Sequence, residues 1–151
     1  MAQVEYTARF TTKEKFSGRI RIKLRAKTDG YDIHVSYNNG LLMFNRKEQA
    51  CLKSYKDMLH INDIIKNGSS HKTESFGRVP VNQFVEIDWI IGEKIIVVMI
   101  NGANRFIGDF FPYITDERYN REFHEMNPAP IGIHSANGST VTVDSLQVTE
   151  I

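Results

Sequence analysis

The feature that most limits what this chain can fold into is alternation with period two. It is the pattern of a half-buried β-strand, in which successive side chains point to opposite faces of a sheet. The clearest case is residues 19–27, where Ile20, Ile22, Leu24 and Ala26 alternate with Arg19, Arg21, Lys23, Arg25 and Lys27. Val4, Tyr6, Ala8 and Phe10 alternate with polar residues in the same way. So do Tyr31, Ile33, Val35 and Tyr37, with Asp32, His34 and Ser36 between them. Asn38-Asn39-Gly40 then leads directly into Leu41-Leu42-Met43-Phe44, a hairpin signal, because Asn and Gly tolerate the positive φ that tight turns demand.

The second half continues the rhythm. In residues 83–91, Val85, Ile87, Trp89 and Ile91 share one face. Residues 94–100 form an almost unbroken β-branched run, which reads as a central strand covered on both sides. Asn101-Gly102 turns it into residues 104–111. Strands also fit residues 130–134 and 140–151, the last with a bulge near Asp144-Ser145 where its apolar phase changes. Residues 116–126 place Tyr119, Phe123 and Met126 at helical spacing behind a capping Asp116, so one short helix is expected in a loop. Residues 48–66 fit either a short helix or an irregular strand pair. Roughly ten short strands and hardly any helix specify an all-β fold, an antiparallel β-sandwich ahead of a barrel. No internal repeat or linker divides residues 1–151, so a single domain is expected.

Composition narrows the function classes. The one Cys excludes an intramolecular disulfide framework and a Cys-based zinc site. The five histidines, at 34, 60, 71, 124 and 134, show no paired ligand spacing, and neither a nucleophile elbow nor a phosphate-binding Gly loop occurs. No metal and no cofactor is expected. A formal charge of +1 gives no general attraction to nucleic acid or anionic membrane. The balance is uneven along the chain, because residues 19–27 hold five of the 19 basic side chains and none of the 18 acidic ones. Arg19, Arg21, Lys23 and Arg25 are therefore candidates for an anionic partner, with cross-strand pairing to acids as the plainer alternative. The N-terminus does not read as a signal peptide, and no apolar run approaches the ~20 residues of a membrane helix. Cytoplasmic residence is the default expectation.

The stretch Pro80-Val81-Asn82-Gln83-Phe84-Val85-Glu86-Ile87-Asp88-Trp89, followed by Ile95-Ile96-Val97-Val98-Met99-Ile100-Asn101-Gly102 and Arg105-Phe106, resembles the concanavalin A-like jelly rolls. Galectins and laminin-G-type modules share that pattern. The closing Ile131-Gly132-Ile133 and residues 141–148 are similar to the last strands of such sandwiches. The resemblance spans residues 76–151 and implies a jelly-roll sandwich. It also brings two candidate sites. Glu86-Ile87-Asp88 is similar to the strand on which retaining glycosidases of this fold carry their nucleophile. The acid/base position four or five residues on is Ile90 or Ile91, which removes a necessary part of that mechanism. Phe44-Asn45-Arg46 resembles the galectin H-F-N-P-R strand, whose polar residues bond galactoside hydroxyls. Here Leu42 or Met43 replaces the His, the Pro is missing, and no Trp follows between Arg46 and Arg78. Trp89, the one Trp, shares its face with Val85, Ile87 and Ile91 and is expected in the core.

The segments 79–89 and 138–150 also resemble modules attached to bacterial transcription regulators, which implies an accessory or sensor domain. The leading expectation is a non-catalytic module binding an oligosaccharide or another polar ligand, with His34, Asn45, Arg46, Glu86 and Asp88 as candidate ligand-binding residues. The second is a structural or interaction module that pairs with itself or with an adjacent domain. A glycoside hydrolase ranks third.

Overall fold

In the computed structural model the described residues are 2–4, 9–17, 19–37, 40–45, 60–61, 77–92, 95–109, 128–135 and 138–151. The expected helix at 116–126, Arg46, and all of 48–66 except His60 and Ile61 lie outside them. The described chain is all β, and its strands form two antiparallel sheets. The strands are β1 (Ala2–Val4), β2 (Arg9–Thr11), β3 (Ile20–Thr28), β4 (Ile33–Tyr37), β5 (Gly40–Phe44) and β6 (His60–Ile61). Then follow β7 (Val85–Ile91), β8 (Ile95–Ile100), β9 (Ala103–Asp109), β10 (Ile131–His134) and β11 (Val141–Glu150). A six-stranded sheet has the order β1-β11-β3-β7-β8-β9, and a five-stranded sheet the order β2-β10-β4-β5-β6.

The alternating residues build the core between these sheets. Ile20, Ile22, Leu24 and Ala26 of β3 and Val85, Ile87, Trp89 and Ile91 of β7 are buried, with Ile22 in register opposite Trp89 and Leu24 opposite Ile87. Ile33, Val35 and Tyr37 of β4, Leu42 and Phe44 of β5, and Ile131 and Ile133 of β10 meet them from the other sheet. The bulge expected in β11 lies between Val143 and Ser145, where its register against β3 shifts. Before it Val141 and Val143 face the core, and after it Leu146 and Val148 do. The extra residue re-aims Asp144 so that its carboxylate accepts a hydrogen bond from Arg25 Nε at 3.0 Å.

Three expectations are corrected. The first alternating stretch is two strands, because β1 pairs with β11 in one sheet and β2 with β10 in the other. An unbroken alternation carries no mark of where a chain changes sheets. The run at 95–100 is not covered on both sides by described residues: Ile96, Val98 and Ile100 are buried, whereas Ile95 is 52% exposed. Its β-branched character reflects strand propensity as well as burial. Finally, β9 begins at Ala103 rather than Asn104, and residues 110–111 of the expected strand lie outside the described residues.

The Asn101-Gly102 turn has φ of 50° and 81°, as a two-residue primed hairpin requires. Asn101 also ties the turn to β7, since its amide N–H donates to the Glu86 carbonyl and its side-chain oxygen accepts from the Glu86 N–H, both at 2.9 Å. A Cβ on Gly102 would meet no atom within 4 Å, so Gly102→Ala isolates the conformational term. Urea denaturation is expected to show a loss of about 1 kcal/mol.

Candidate functional site

The two sheets turn two different polar faces outward, and they divide the candidate residues between them. On the six-stranded sheet, Arg21, Lys23, Arg25 and Lys27 of β3 project opposite to the core, beside Glu86 and Asp88 of β7. Arg21 holds Asp88 bidentately, Nε to Oδ1 at 2.9 Å and Nη2 to Oδ2 at 2.6 Å. That hydrogen bond, and secondarily the carboxylate's charge, raises the Arg21 pKa above its ordinary value. Arg25 bonds Asp144 and lies 5.0 Å over the Phe84 ring, and Lys27 lies 4.9 Å from the same ring centroid. Much of the basic ladder is thus answered by acids and an aromatic ring of neighbouring strands. Arg19 and Lys23 are exposed, with no ion pair among the described residues.

The five-stranded sheet carries a different chemistry. Strand β4 buries Ile33, Val35 and Tyr37 in the core, so His34 and Ser36 lie on its outer side by alternation, and Asp32 immediately precedes the strand. Strand β10 runs antiparallel to β4 with His134 directly opposite His34. The two rings meet edge to face, centroids 4.6 Å apart, with His34 Nδ1 and His134 Nε2 separated by 2.9 Å. On its other side His34 Nε2 is 3.0 Å from Asp32 Oδ1. Asp32 has a φ of 61°, a conformation Asp tolerates, and is buried. Its backbone N–H donates to the Asn45 carbonyl, fixing the carboxylate beneath the ring.

Hydrogen-bonding capacity assigns the protons. A carboxylate only accepts, so His34 carries its proton on Nε2. With both rings neutral, His34 Nδ1 accepts from the Nε2–H of His134. The chain Asp32, His34, His134 therefore has fixed tautomers and leads from a buried carboxylate to a half-buried imidazole. His34 itself is only 8% exposed. In the same register Met43 of β5 stands opposite His34, and His60 of β6 stands opposite Met43.

Among the described sequence candidates only His34 belongs to this chain; Arg46 lies outside the described residues. Glu86 and Asp88 lie on the other sheet. Asn45 turns inward: its Nδ2 donates to the Val79 carbonyl at 2.8 Å, and its Oδ1 accepts from the Val79 N–H at 2.9 Å. Sequence reading missed Asp32 and His134. The spacing of Asp32 and His34 was visible, but His134 comes from 100 residues away through a strand pairing that no local signal announces. No group of three or more His, Cys, Asp or Glu placed to hold a metal occurs among the described residues.

No protein-family model matches the sequence, and no curated protein does. Solved structures do match. A Caenorhabditis elegans galectin superposes with a TM-score of 0.60 at 12% identity, over 98% of this chain and 96% of the galectin. A carbohydrate-binding module of Bacillus subtilis matches with a TM-score of 0.58 at 7% identity, over 99% of this chain and 84% of its own. A β-1,3-1,4-glucanase (lichenase) from a mouse hindgut metagenome matches with 0.57 at 12% identity, over 95% of this chain and 71% of the enzyme. The sandwich fold expected from residues 76–151 is the fold these structures share with this chain, over 95–99% of its length. Likeness at such identities is likeness of fold, and functions differ widely on a shared scaffold.

Proposed function

We propose that the protein is a non-catalytic β-sandwich module that binds a carbohydrate or another polar ligand on the outer face of its five-stranded sheet. The observation that carries this reading is the hydrogen-bonded chain Asp32, His34, His134 across β4 and β10. Recognising a hydroxyl-rich ligand requires donors and acceptors held in place before the ligand arrives, since ordering them on binding would cost affinity. A buried carboxylate that fixes one imidazole, which in turn fixes a more accessible one, supplies such a group. The occurrence of the fold in a galectin and a carbohydrate-binding module supports the reading. Ile90 and Ile91 at the acid/base positions, and an Asp88 engaged by Arg21 on the opposite sheet, weigh against hydrolysis.

Glycan arrays and thermal-shift screens with mono- and oligosaccharides at millimolar concentration test it. At least one saccharide is expected to raise the melting temperature, and His134→Ala is expected to weaken that ligand roughly tenfold, the equivalent of one lost hydrogen bond. Silence across the screens, or a response that His134→Ala leaves intact, would sink the proposal.

A further inference from the structure

The outer face of the six-stranded sheet sorts its polar groups by strand. Arg21, Lys23 and Arg25 project outward from β3, and Arg19 stands exposed immediately before it, its carbonyl accepting from the Ile151 N–H so that the ladder to β11 continues. The β7 side of this row is acidic, with Glu86 opposite Arg25 and Asp88 opposite Lys23 in register. The β11 side is neutral. Leu146 and Val148 pack on the core, so Ser145, Gln147 and Thr149 point outward, exposed, opposite Arg25, Lys23 and Arg21 in turn. Acids bound this stretch of β11 at its two ends, Asp144 at the bulge and Glu150 opposite Ile20. Asp88 is engaged by Arg21 and Asp144 by Arg25, which leaves Lys23 in mid-strand and Arg19 at its start as exposed cations with no ion pair among the described residues.

We propose that this strip of β3 and β11 binds an acidic polysaccharide whose anionic groups fall on alternate sugars, Lys23 and Arg19 taking its carboxylates or sulfates and Ser145, Gln147 and Thr149 its hydroxyls. Spacing selects that class. Arg19 and Lys23 are four residues apart along an extended chain, about 13 Å, so they answer charges that lie far apart. A nucleic-acid strand carries a phosphate about every 3.4 Å, and along this row the intervening phosphates would fall beside Asp88, Glu86 and Asp144. An acidic peptide matches the cations but brings few hydroxyls to three neutral side chains in line. Ser and Thr hydroxyls and the Gln amide each offer both a donor and an acceptor, the complement of a sugar hydroxyl. Held by Asp88 and Asp144, Arg21 and Arg25 keep the row ordered before a ligand arrives. The contacts are exposed, so the affinity is expected to be modest and to fall with salt.

This surface is on the sheet opposite to the proposed ligand face, so it stands or falls separately. Isothermal titration calorimetry with hyaluronate oligosaccharides, which carry a carboxylate on alternate sugars, is expected to show binding at ~0.01 M salt that weakens several-fold at ~0.15 M. Neutral dextran is expected to give none. Lys23→Glu is expected to weaken hyaluronate roughly tenfold, and Gln147→Ala a few-fold. Lys13→Glu makes the same change in net charge at an exposed position that follows β2 of the other sheet, and is expected to leave the affinity unchanged, as is His134→Ala. Circular dichroism verifies that each variant is folded. No hyaluronate binding at low salt, dextran binding as tightly, equal losses from Lys23→Glu and Lys13→Glu, a loss confined to His134→Ala, or tighter binding of single-stranded DNA of matched length would each overturn the proposal.

Discussion

Replacing Trp89 with alanine is expected to lower the stability of the fold by roughly 3–5 kcal/mol, the range for deleting a fully buried large aromatic side chain. Trp89 is completely buried in β7, between Ile22 of β3 and Val98 of β8 in register, so its removal opens a cavity that two flanking strands cannot close by rotating side chains. A marginally stable domain has little more than that to lose. The comparison with Trp89→Phe is more telling. The indole Nε1 finds no acceptor among the described residues, and a buried donor without a partner carries a penalty of about 1–3 kcal/mol. Phenylalanine forfeits part of the ring volume but removes that donor, so its cost is expected to stay below about 2 kcal/mol. Urea unfolding followed by circular dichroism measures both. A loss under about 1 kcal/mol for Trp89→Ala would mean that the indole is not in the core, and the register of β3, β7 and β8 would be wrong.

That Trp89 belongs to the core was legible in the sequence, because Val85, Ile87 and Ile91 share its face and period two leaves no other assignment. The same reasoning recovered β3, the β4–β5 and β8–β9 hairpins and the bulge of β11, all of them consequences of local geometry. What it missed is non-local. Nothing in the alternation around Val4 and Phe10 shows that the chain leaves one sheet for the other, since both strands bury the same kind of residue. Nothing near His134 shows that His34 will face it. That encounter depends on β10 entering the five-stranded sheet between β2 and β4, and on a register that sets residues 34 and 134 opposite each other. The basic ladder was visible as a strand face, but its partners Asp88 and Asp144 were supplied by strand order. Ligand-binding candidates taken from single strands therefore scattered over both faces of the sandwich once the sheets were assembled.

Asn45 is where the resemblance to a galectin strand and the structure part, and its replacement is expected to have an effect as large as that of Trp89. Its side chain behaves as a missing piece of backbone: Nδ2 and Oδ1 satisfy the carbonyl and N–H of Val79 together, in a fully buried position. Its main chain completes the junction, donating to the Gly77 carbonyl at 2.7 Å and accepting from the Asp32 N–H at 3.1 Å. The φ of 51° is one that Asn tolerates and most residues resist. Asn45→Ala leaves two buried main-chain groups of Val79 unpaired and adds a conformational penalty, for a sum of about 3–5 kcal/mol. Asn45→Gly loses the same hydrogen bonds without the strain, so it is expected to be about 1 kcal/mol more stable than the alanine variant. The glycine variant also separates structure from recognition. Because Asn45 reaches the histidine chain only through the main chain at Asp32, a folded Asn45→Gly protein is expected to keep its ligand affinity within a few-fold of the parent. A folded Asn45→Gly protein with binding abolished would return Asn45 to the ligand face and refute the inward clamp.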